Sequence, residues 1–365
     1  MRVTKLELDN YRVYGHALLT PPDGVTVLYG DNAQGKTAIL EAIYLCCTGR
    51  SHRTARDREM IKWDAEAARI SLEVERRDGT RSIDICISSG KRKTISVNSK
   101  PIERSGELMG HVTGVLFSPE DLRIVKEGPA ERRRFIDMLL SQIRPAYYYN
   151  LQCYIRALNQ RGALLREAAI RPSLLATISE WNEQLARYGA KIIEIRREFI
   201  DVLAAYSTRI HSSLTNGGEK LDIAYQPSLE SDKSGDALAE DLLKILDERL
   251  ETDQKRCMTC VGPHRDDISL SINGADARVY ASQGQQRSCA LSIKLSEMDV
   301  ITKATGESPI LLLDDVMSEL DPGRRRMLLE AFEGAQTIVT CTDLDDLAGS
   351  RPNLTRRIAS GYLGD

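Results

Sequence analysis

Apolar positions recur every second residue near the start of the chain and every third or fourth residue through its middle, and that change of period divides it. Val3, Leu6 and Leu8, the apolar run Val25–Tyr29, and residues 69–75 and 82–88 read as strands. The last two are joined across Asp78-Gly79, a pair that tolerates the left-handed backbone of a tight hairpin. One helix, residues 38–47, is set among them, so the chain up to about residue 129 forms a sheet-rich lobe. After Pro129 nearly everything to residue 256 is helical in period, with few strand signals. There Leu185, Tyr188, Ile192, Ile195, Phe199, Val202 and Tyr206 alternate spacings of 3 and 4, which puts them on one seam that needs a partner helix. Tyr147, Leu151, Tyr154 and Leu158 offer a shorter seam upstream, with Pro172 in the connection. The pattern therefore predicts an antiparallel helical pair, either a plain bundle or an arm.

From Cys257 onward the texture becomes α/β again. It predicts a strand at 268–272 followed by a turn at Asn273-Gly274, a helix at about 285–303, an apolar strand at 310–313, another helix, and a strand at 337–340. Two α/β segments separated by a helical insertion imply one bilobed head built from both ends of the chain. The expected division is a first lobe at 1–129, a mainly α-helical insertion at 130–256, and a second lobe at 257–365.

Composition narrows the class. The 365 residues are 42% hydrophobic and 28% charged, ordinary for a soluble globular protein. No run of about 18 apolar residues occurs and no basic-then-apolar leader opens the sequence, so the expectation is a cytoplasmic protein without a membrane span. Eight cysteines, with Cys46 and Cys47 adjacent in an apolar helix, suit buried thiols in a reducing compartment. Cys257 and Cys260 form a lone CxxC without the further ligands that zinc requires. Net charge is −3, yet residues 1–150 carry 24 Lys+Arg against 20 Asp+Glu, leaving 26 against 33 for the rest. Any surface for a phosphate backbone is expected on the N-terminal half.

Three motifs carry chemistry. Gly30-Asp31-Asn32-Ala33-Gln34-Gly35-Lys36-Thr37 fits G-x-x-x-x-G-K-[ST], follows an apolar strand and opens the helix that continues at Ala38. Glycines let backbone N–H groups turn around phosphates at a helix N-terminus, Lys36 is expected to reach the β- and γ-phosphates of ATP, and Thr37 to ligate Mg2+. The apolar strand at 310–313 ends in Asp314-Asp315, the arrangement of a Walker B element: Asp314 for Mg2+, Asp315 as general base toward the attacking water. Ala281-Ser282-Gln283-Gly284-Gln285-Gln286, directly before a long helix, resembles the signature motif of ABC-type ATPases. Ser282, Gly284 and Gln285 at a helix start form a second anion site, redundant for an ATP already wrapped by the first loop. In ABC-type proteins such a site closes on the nucleotide of the opposite subunit, which implies an ATP-driven homodimer; Ser318-Glu319-Leu320-Asp321 resembles the accompanying D-loop. Read without a partner, Ser282 is a helix N-cap.

Further segments make the resemblance specific. Leu6-Glu7-Leu8-Asp9-Asn10-Tyr11-Arg12, Phe117-Ser118-Pro119-Glu120-Asp121-Leu122, Arg132-Arg133-Arg134-Phe135-Ile136-Asp137, Gly262-Pro263-His264-Arg265-Asp266-Asp267 and the run from Ala281 to Arg287 together resemble the RecF family of bacterial recombination-repair ATPases, over essentially the whole chain. The short helical insertion, where related SMC-type ATPases have a long coiled coil, is similar too. The resemblance implies an α/β, ABC-type (SMC-like) P-loop head and an ATP-dependent DNA clamp in repair, replication-fork recovery and the SOS response. It implies action at gaps and single-strand/double-strand junctions, with RecR and RecO as partners in placing RecA on DNA.

Some positions depart from the wider ABC pattern. The residue after Asp314 is Asp315 where Glu is usual, one methylene shorter, so slow hydrolysis is expected. No His follows the strand at 337–340, where the chain reads Cys341-Thr342-Asp343, and no Gln follows Phe117-Ser118. Two other functions stay open on the residues: an ABC-type ATPase that does not act on DNA, and a nucleotide-binding structural subunit without turnover. His264-Arg265-Asp266-Asp267 reads as a structural knot, because neighbours on a strand face opposite sides. Basic clusters at 50–58, Lys91-Arg92-Lys93 and Arg132-Arg133-Arg134 are candidate phosphate contacts, and Arg50 and Arg53 are also candidates for the nucleotide. Few aromatics interleave with them, so base stacking is not expected.

Overall fold

The computed structural model describes residues 1–321, 323–325, 328, 334–344 and 352–364, with backbone alone at 105 and 319. The chain divides into two compact units: Met1–Leu122 with Ser213–Gly217 and Ala290–Asp365, and Arg123–Ser212 with Gly218–Cys289.

The first unit holds two six-stranded sheets. Strands β1 (Arg2–Tyr11) and β2 (Tyr14–Leu19) lead to β3 (Val25–Tyr29) and helix α1 (Lys36–Thr48). Next come β4 (Ala67–Arg76), β5 (Gly79–Ser88), β6 (Thr94–Val97), β7 (Lys100–Ile102) and β8 (Gly114–Phe117). One sheet is antiparallel, in the order β2-β1-β4-β5-β6-β7. Its strands alternate in burial: Ala68, Ile70, Leu72 and Val74 of β4 are buried, whereas Arg69 points to solvent. The β4–β5 hairpin closes on the pair Arg76 and Gly79, and Gly79 takes a φ of 117° that its lack of Cβ permits.

The other sheet is read from the end of the chain as well as its start. Its order is β15-β14-β3-β13-β12-β8, where β12 is Ile310–Asp314, β13 Thr337–Cys341, β14 Leu354–Ala359 and β15 Tyr362–Leu363. Strands β8, β12, β13, β3 and β14 run parallel, and Ile310, Leu311, Leu312 and Leu313 are fully buried, as befits a parallel strand covered on both faces. Helix α1 buries Ile39, Leu40, Ile43 and Leu45 in the same core as β1, β4 and β5. Most of the expected helix between β12 and β13 lies outside the described residues.

In the second unit are α2 (Arg123–Lys126), α3 (Pro129–Ile143), α4 (Pro145–Ala168), α5 (Ile178–Leu214), β9 (Leu221–Gln226), α6 (Gly235–Glu248), α7 (Leu250–Arg256), β10 (Asp267–Ile272), β11 (Ala275–Asp276) and the start of α8 (Gln283–Thr305). Two features differ from the sequence reading. The helical stretch contains a strand, β9, and β10 pairs with it from Asp267 opposite Gln226 to Ile272 opposite Leu221. Residues 257–289, assigned from sequence to the second lobe, accordingly cluster with the helices. The buried face of α5 holds Leu185, Ile192 and Phe199 of the expected seam but extends beyond it. Gly189, Ile193, Arg196, Ile200, Leu203 and Ser207 are buried, while Val202 is 36% exposed and Tyr188 and Ile195 half-buried. Polar side chains that find partners inside lie on that face, and an apolar pattern cannot register them. A Cβ on Gly189 would lie 2.7 Å from Leu242 of α6 and 3.2 Å from Tyr154 of α4, so α5 is packed between two helices rather than one.

Candidate functional site

The loop between β3 and α1 is shaped by its glycines. Gly30 and Gly35 take φ values of 148° and 115°, and Ala33 is left-handed at 64°. A Cβ on Gly30 would press into the carbonyl of Ile358 on β14, and one on Gly35 would lie 2.7 Å from Val13 and 2.8 Å from the Tyr14 hydroxyl, which donates to the Gly35 carbonyl at 3.0 Å. The loop is also tied to the C-terminal hairpin: the backbone N–H groups of Ser360 and Gly361 donate to the Gln34 side-chain and backbone oxygens, at 2.5 and 3.2 Å. Asp31, Asn32 and Ala33 are exposed and Ala38 is buried. Lys36 is buried, its ammonium folded onto the carbonyls of Gly30 and Asp31. Among the described residues no carboxylate pairs with it, and the cation is held by backbone dipoles.

Thr37 and Asp314 are 277 residues apart in sequence, yet the Thr37 hydroxyl donates to Asp314 Oδ1 at 2.8 Å. A residue the motifs did not name completes the group. The Thr340 hydroxyl donates to the same Oδ1 at 2.9 Å and accepts the Asp315 N–H at 3.0 Å. Asp315 is left-handed, with φ 53°, so the strand stops at Asp314 and the chain turns away at the next residue. The parallel registers of β3, β13 and β12 bring these ends together: Tyr29 pairs with Cys341, and Thr340 with Asp314.

The role of a buried carboxylate on α1 was invisible in the sequence. Glu41 is fully buried and accepts from Arg12 Nη2 and Nε, at 2.5 and 2.8 Å, and from Ser51, with Arg53 3.8 Å away. Burial pushes its pKa up, but the Arg12 and Ser51 hydrogen bonds outweigh that and hold the carboxyl below its ordinary range. The knot fixes residues 50–53 against the helix that follows the loop.

Ser282, Gly284 and Gln285 lie in the second unit, where Ser282 and Gly284 are exposed and Gln285 is half-buried. Gln285 N–H donates to the Ser282 hydroxyl at 3.2 Å and Ser282 N–H to the Gln285 side chain at 2.8 Å, a reciprocal capping box. Gln285 also donates to Glu219 at 3.0 Å. Of the D-loop segment, Ser318 is exposed and the Glu319 side chain lies outside the described residues.

The basic cluster Arg132-Arg133-Arg134 is corrected in part. Arg132 is buried in a bidentate pair with Asp267 at 2.7 and 2.9 Å, and Arg133 donates to the Asp266 carbonyl at 2.6 Å, so neither is free for a phosphate. Asp266 is fully buried under Tyr225 and the Ser228 N–H. His264 donates from Nε2 to the Thr259 carbonyl at 2.9 Å, which leaves Nδ1 to accept the Tyr154 hydroxyl at 2.6 Å. Burial pushes that imidazole down to about 4. These residues form a structural knot. Among the described residues no helix is long and apolar enough to cross a membrane.

Comparison with known proteins agrees with this geometry. Residues 5–198 match a family described as AAA domain. The chain is 43% identical over 345 residues to the DNA replication and repair protein RecF of Acetivibrio thermocellus, covering 94% of each chain. The solved structure of the recombination mediator protein RecF-ATP in the RecFOR pathway superposes with a TM-score of 0.92 at 36% identity, covering 99% of this chain and 96% of that one. An Smc head domain from Pyrococcus furiosus, with an extended coiled coil, shares the fold at a TM-score of 0.56 and 17% identity, over 99% of this chain and 95% of that one.

Proposed function

The chain belongs to the RecF family of DNA replication and repair proteins, ABC-type ATPases with an SMC-like head, and from that premise we propose that it is an ATP-gated DNA clamp whose ATP site is completed by a second copy of itself. The reading rests above all on one observation, the convergence of Thr37, Thr340 and Asp314 beside the glycine loop.

The residues suit Mg2+ and ATP. The Thr37 hydroxyl and the Asp314 carboxylate, joined by a hydrogen bond of 2.8 Å, are hard oxygen donors of the kind Mg2+ takes, directly or through its retained waters. Thr37 and Asp314 would hold the metal, Asp314 through water, and the loop from Gly30 to Ala38 would cradle the phosphates with its N–H groups. Bound ATP with Mg2+ supplies an electrophilic γ-phosphorus. Lys36, already held at the loop's inner rim, would move its ammonium from the Gly30 and Asp31 carbonyls to phosphate oxygens. Asp315 would take the proton of the attacking water, with a short reach that keeps turnover slow. Thr340 would keep the Asp314 carboxylate and the Asp315 backbone in one arrangement.

The capping box leaves Ser282 and Gly284 exposed at the head of α8, and a second anion site is redundant for an ATP whose phosphates one loop already wraps, which supports the composite site. ATP binding would then join two copies, with Gln285 beside the partner's nucleotide, and bring two basic N-terminal halves onto one DNA backbone. Solved RecF-ATP in the RecFOR pathway supports ATP as the nucleotide and RecR and RecO as partners. Loading of RecA at gapped or single-strand/double-strand junctions is the expected outcome, inside the cytoplasm. Sedimentation with ATP, with ADP and without nucleotide, repeated on gapped DNA, tests this. A dimer that forms only with ATP and binds DNA supports it; a monomer under all conditions removes the composite site.

A further inference from the structure

Trp63 is 87% exposed, the most exposed of the large apolar side chains in the described chain. A short turn presents it. Ala65 N–H donates to the Lys62 carbonyl at 3.1 Å, with Trp63 and Asp64 at the tip and Asp64 left-handed at φ 67°. The stem of the turn is fixed: Lys62 N–H donates to the Asn10 carbonyl at 2.8 Å, and Ile61 bridges Tyr11 at the end of β1. The indole is therefore offered to solvent by a rigid element.

Its surroundings are basic. Ala67, where β4 begins, pairs with Ser88, where β5 ends, and Ser89 N–H donates to the Glu66 carbonyl at 3.0 Å, so the Trp63 turn and the Lys91-Arg92-Lys93 turn leave the same end of the antiparallel sheet. Lys93 reaches Asp57 at 2.9 Å, which ties residues 50–60 to that end too. Residues 50–66 and 88–93 together hold eight Lys+Arg and four Asp+Glu, an excess equal to the whole surplus of the first 150 residues. Arg56 is 85% exposed, and Arg50, Arg53, Arg58, Lys91 and Arg92 are exposed as well. The sequence reading found few aromatics among these clusters; the fold brings the clusters to the sheet end from which this one projects.

We propose that Trp63 is a stacking platform for an unpaired base, and that the sheet end around it is where a single-stranded segment of DNA leaves the duplex. A flat aromatic face amid cations on a rigid turn matches the chemistry of single-strand binding, in which phosphates meet the cations and a base meets the ring without sequence readout. Duplex DNA offers no base face along its length, since every face is stacked. The indole is blind to continuous duplex and engages DNA only at a gap, a single-stranded end or a junction. This rests on the DNA-clamp reading and deepens it by naming which part of the DNA is read.

The test uses the full-length protein. Trp63→Ala lowers affinity for gapped duplex and for oligo(dT) about five- to 150-fold, the equivalent of 1–3 kcal/mol for one stacked base, and leaves affinity for blunt continuous duplex within about twofold. Trp63→Phe restores part of the loss. In a Trp181→Phe background, where Trp63 is the remaining tryptophan, oligo(dT) quenches the emission and duplex does not. The platform is overturned if Trp63→Ala binds gapped and blunt DNA as the parent does, or if duplex quenches as strongly as oligo(dT). Those results leave the clamp standing, whereas failure to bind any DNA removes the clamp itself.

Discussion

Replacing Arg161 by Met should be among the most damaging single changes in the second unit. Arg161 is the largest fully buried side chain among the described residues, and its partner Asp253 is also fully buried, 2.7 Å away. The guanidinium donates further to Asn182 Oδ1 at 2.7 Å and Thr259 Oγ1 at 2.8 Å, so one residue of α4 joins α5, α7 and the segment after it. Methionine fills most of the volume but strands the Asp253 carboxylate, which keeps only the Cys260 N–H at 3.0 Å. Leaving a buried charge without its counter-ion costs about 3–5 kcal/mol. For a unit of this size that corresponds to a fall in Tm of roughly 6–20 °C. The decisive comparison is the double variant Arg161→Met with Asp253→Asn. Asn keeps an acceptor for Cys260 and removes the stranded charge, so at least half of the lost stability should return. Thermal and urea unfolding followed by circular dichroism measure both variants. A single-variant loss below about 1 kcal/mol, or no recovery in the double variant, would refute the reasoning.

Four other outcomes are expected. Lys36→Met should lower ATP turnover by at least about 100-fold and move Tm by only a few degrees, since the ammonium meets only two loop carbonyls; normal turnover would remove the loop from the chemistry. Thr340→Val should weaken Mg2+-dependent turnover about 10- to 100-fold, read as the Mg2+ concentration for half-maximal activity, and an unchanged Mg2+ dependence would show that Asp314 needs no such partner. Ser282→Arg should leave ATP binding to the monomer nearly unchanged but block ATP-driven dimerisation in sedimentation, and equal loss in both would indicate misfolding. His264, held neutral down to about pH 4, is protonated in the unfolded chain below about pH 6.5. Stability should therefore fall as pH drops from 6.5 to 4, by up to about 3 kcal/mol, and His264→Gln should flatten that slope.

The sheet-rich lobe and the return to α/β were legible because their signals are local: alternation in β4 and β5, an all-apolar β12, glycines around Lys36. What the sequence could not show are partnerships made at a distance. Gln34 meets Ser360 across 326 residues, Arg12 meets Glu41 across 29, and Thr340 reads as an ordinary strand residue until β12 lies beside it. The extension of the buried face of α5 beyond the expected seam has the same origin, since Asn182, Arg196 and His211 are buried by virtue of partners that only the fold supplies. Arg132 and Arg133 were misjudged for that reason as well: a basic run advertises a surface, and Asp267 turned one of its members inward.

The position of β3 has a consequence for how the protein is made. Its two neighbours are β13 and β14, which lie more than 300 residues further along the chain. During synthesis the glycine loop emerges early, but the strand that carries it has no sheet to join until residues near 341 and 358 have left the ribosome. The Ile358 carbonyl that walls Gly30 and the Ser360 N–H that steadies Gln34 arrive with the last of these. A nascent or truncated chain is thus kept from holding nucleotide in the finished way, and a stop or frameshift anywhere before that hairpin silences the head without any change to its motifs.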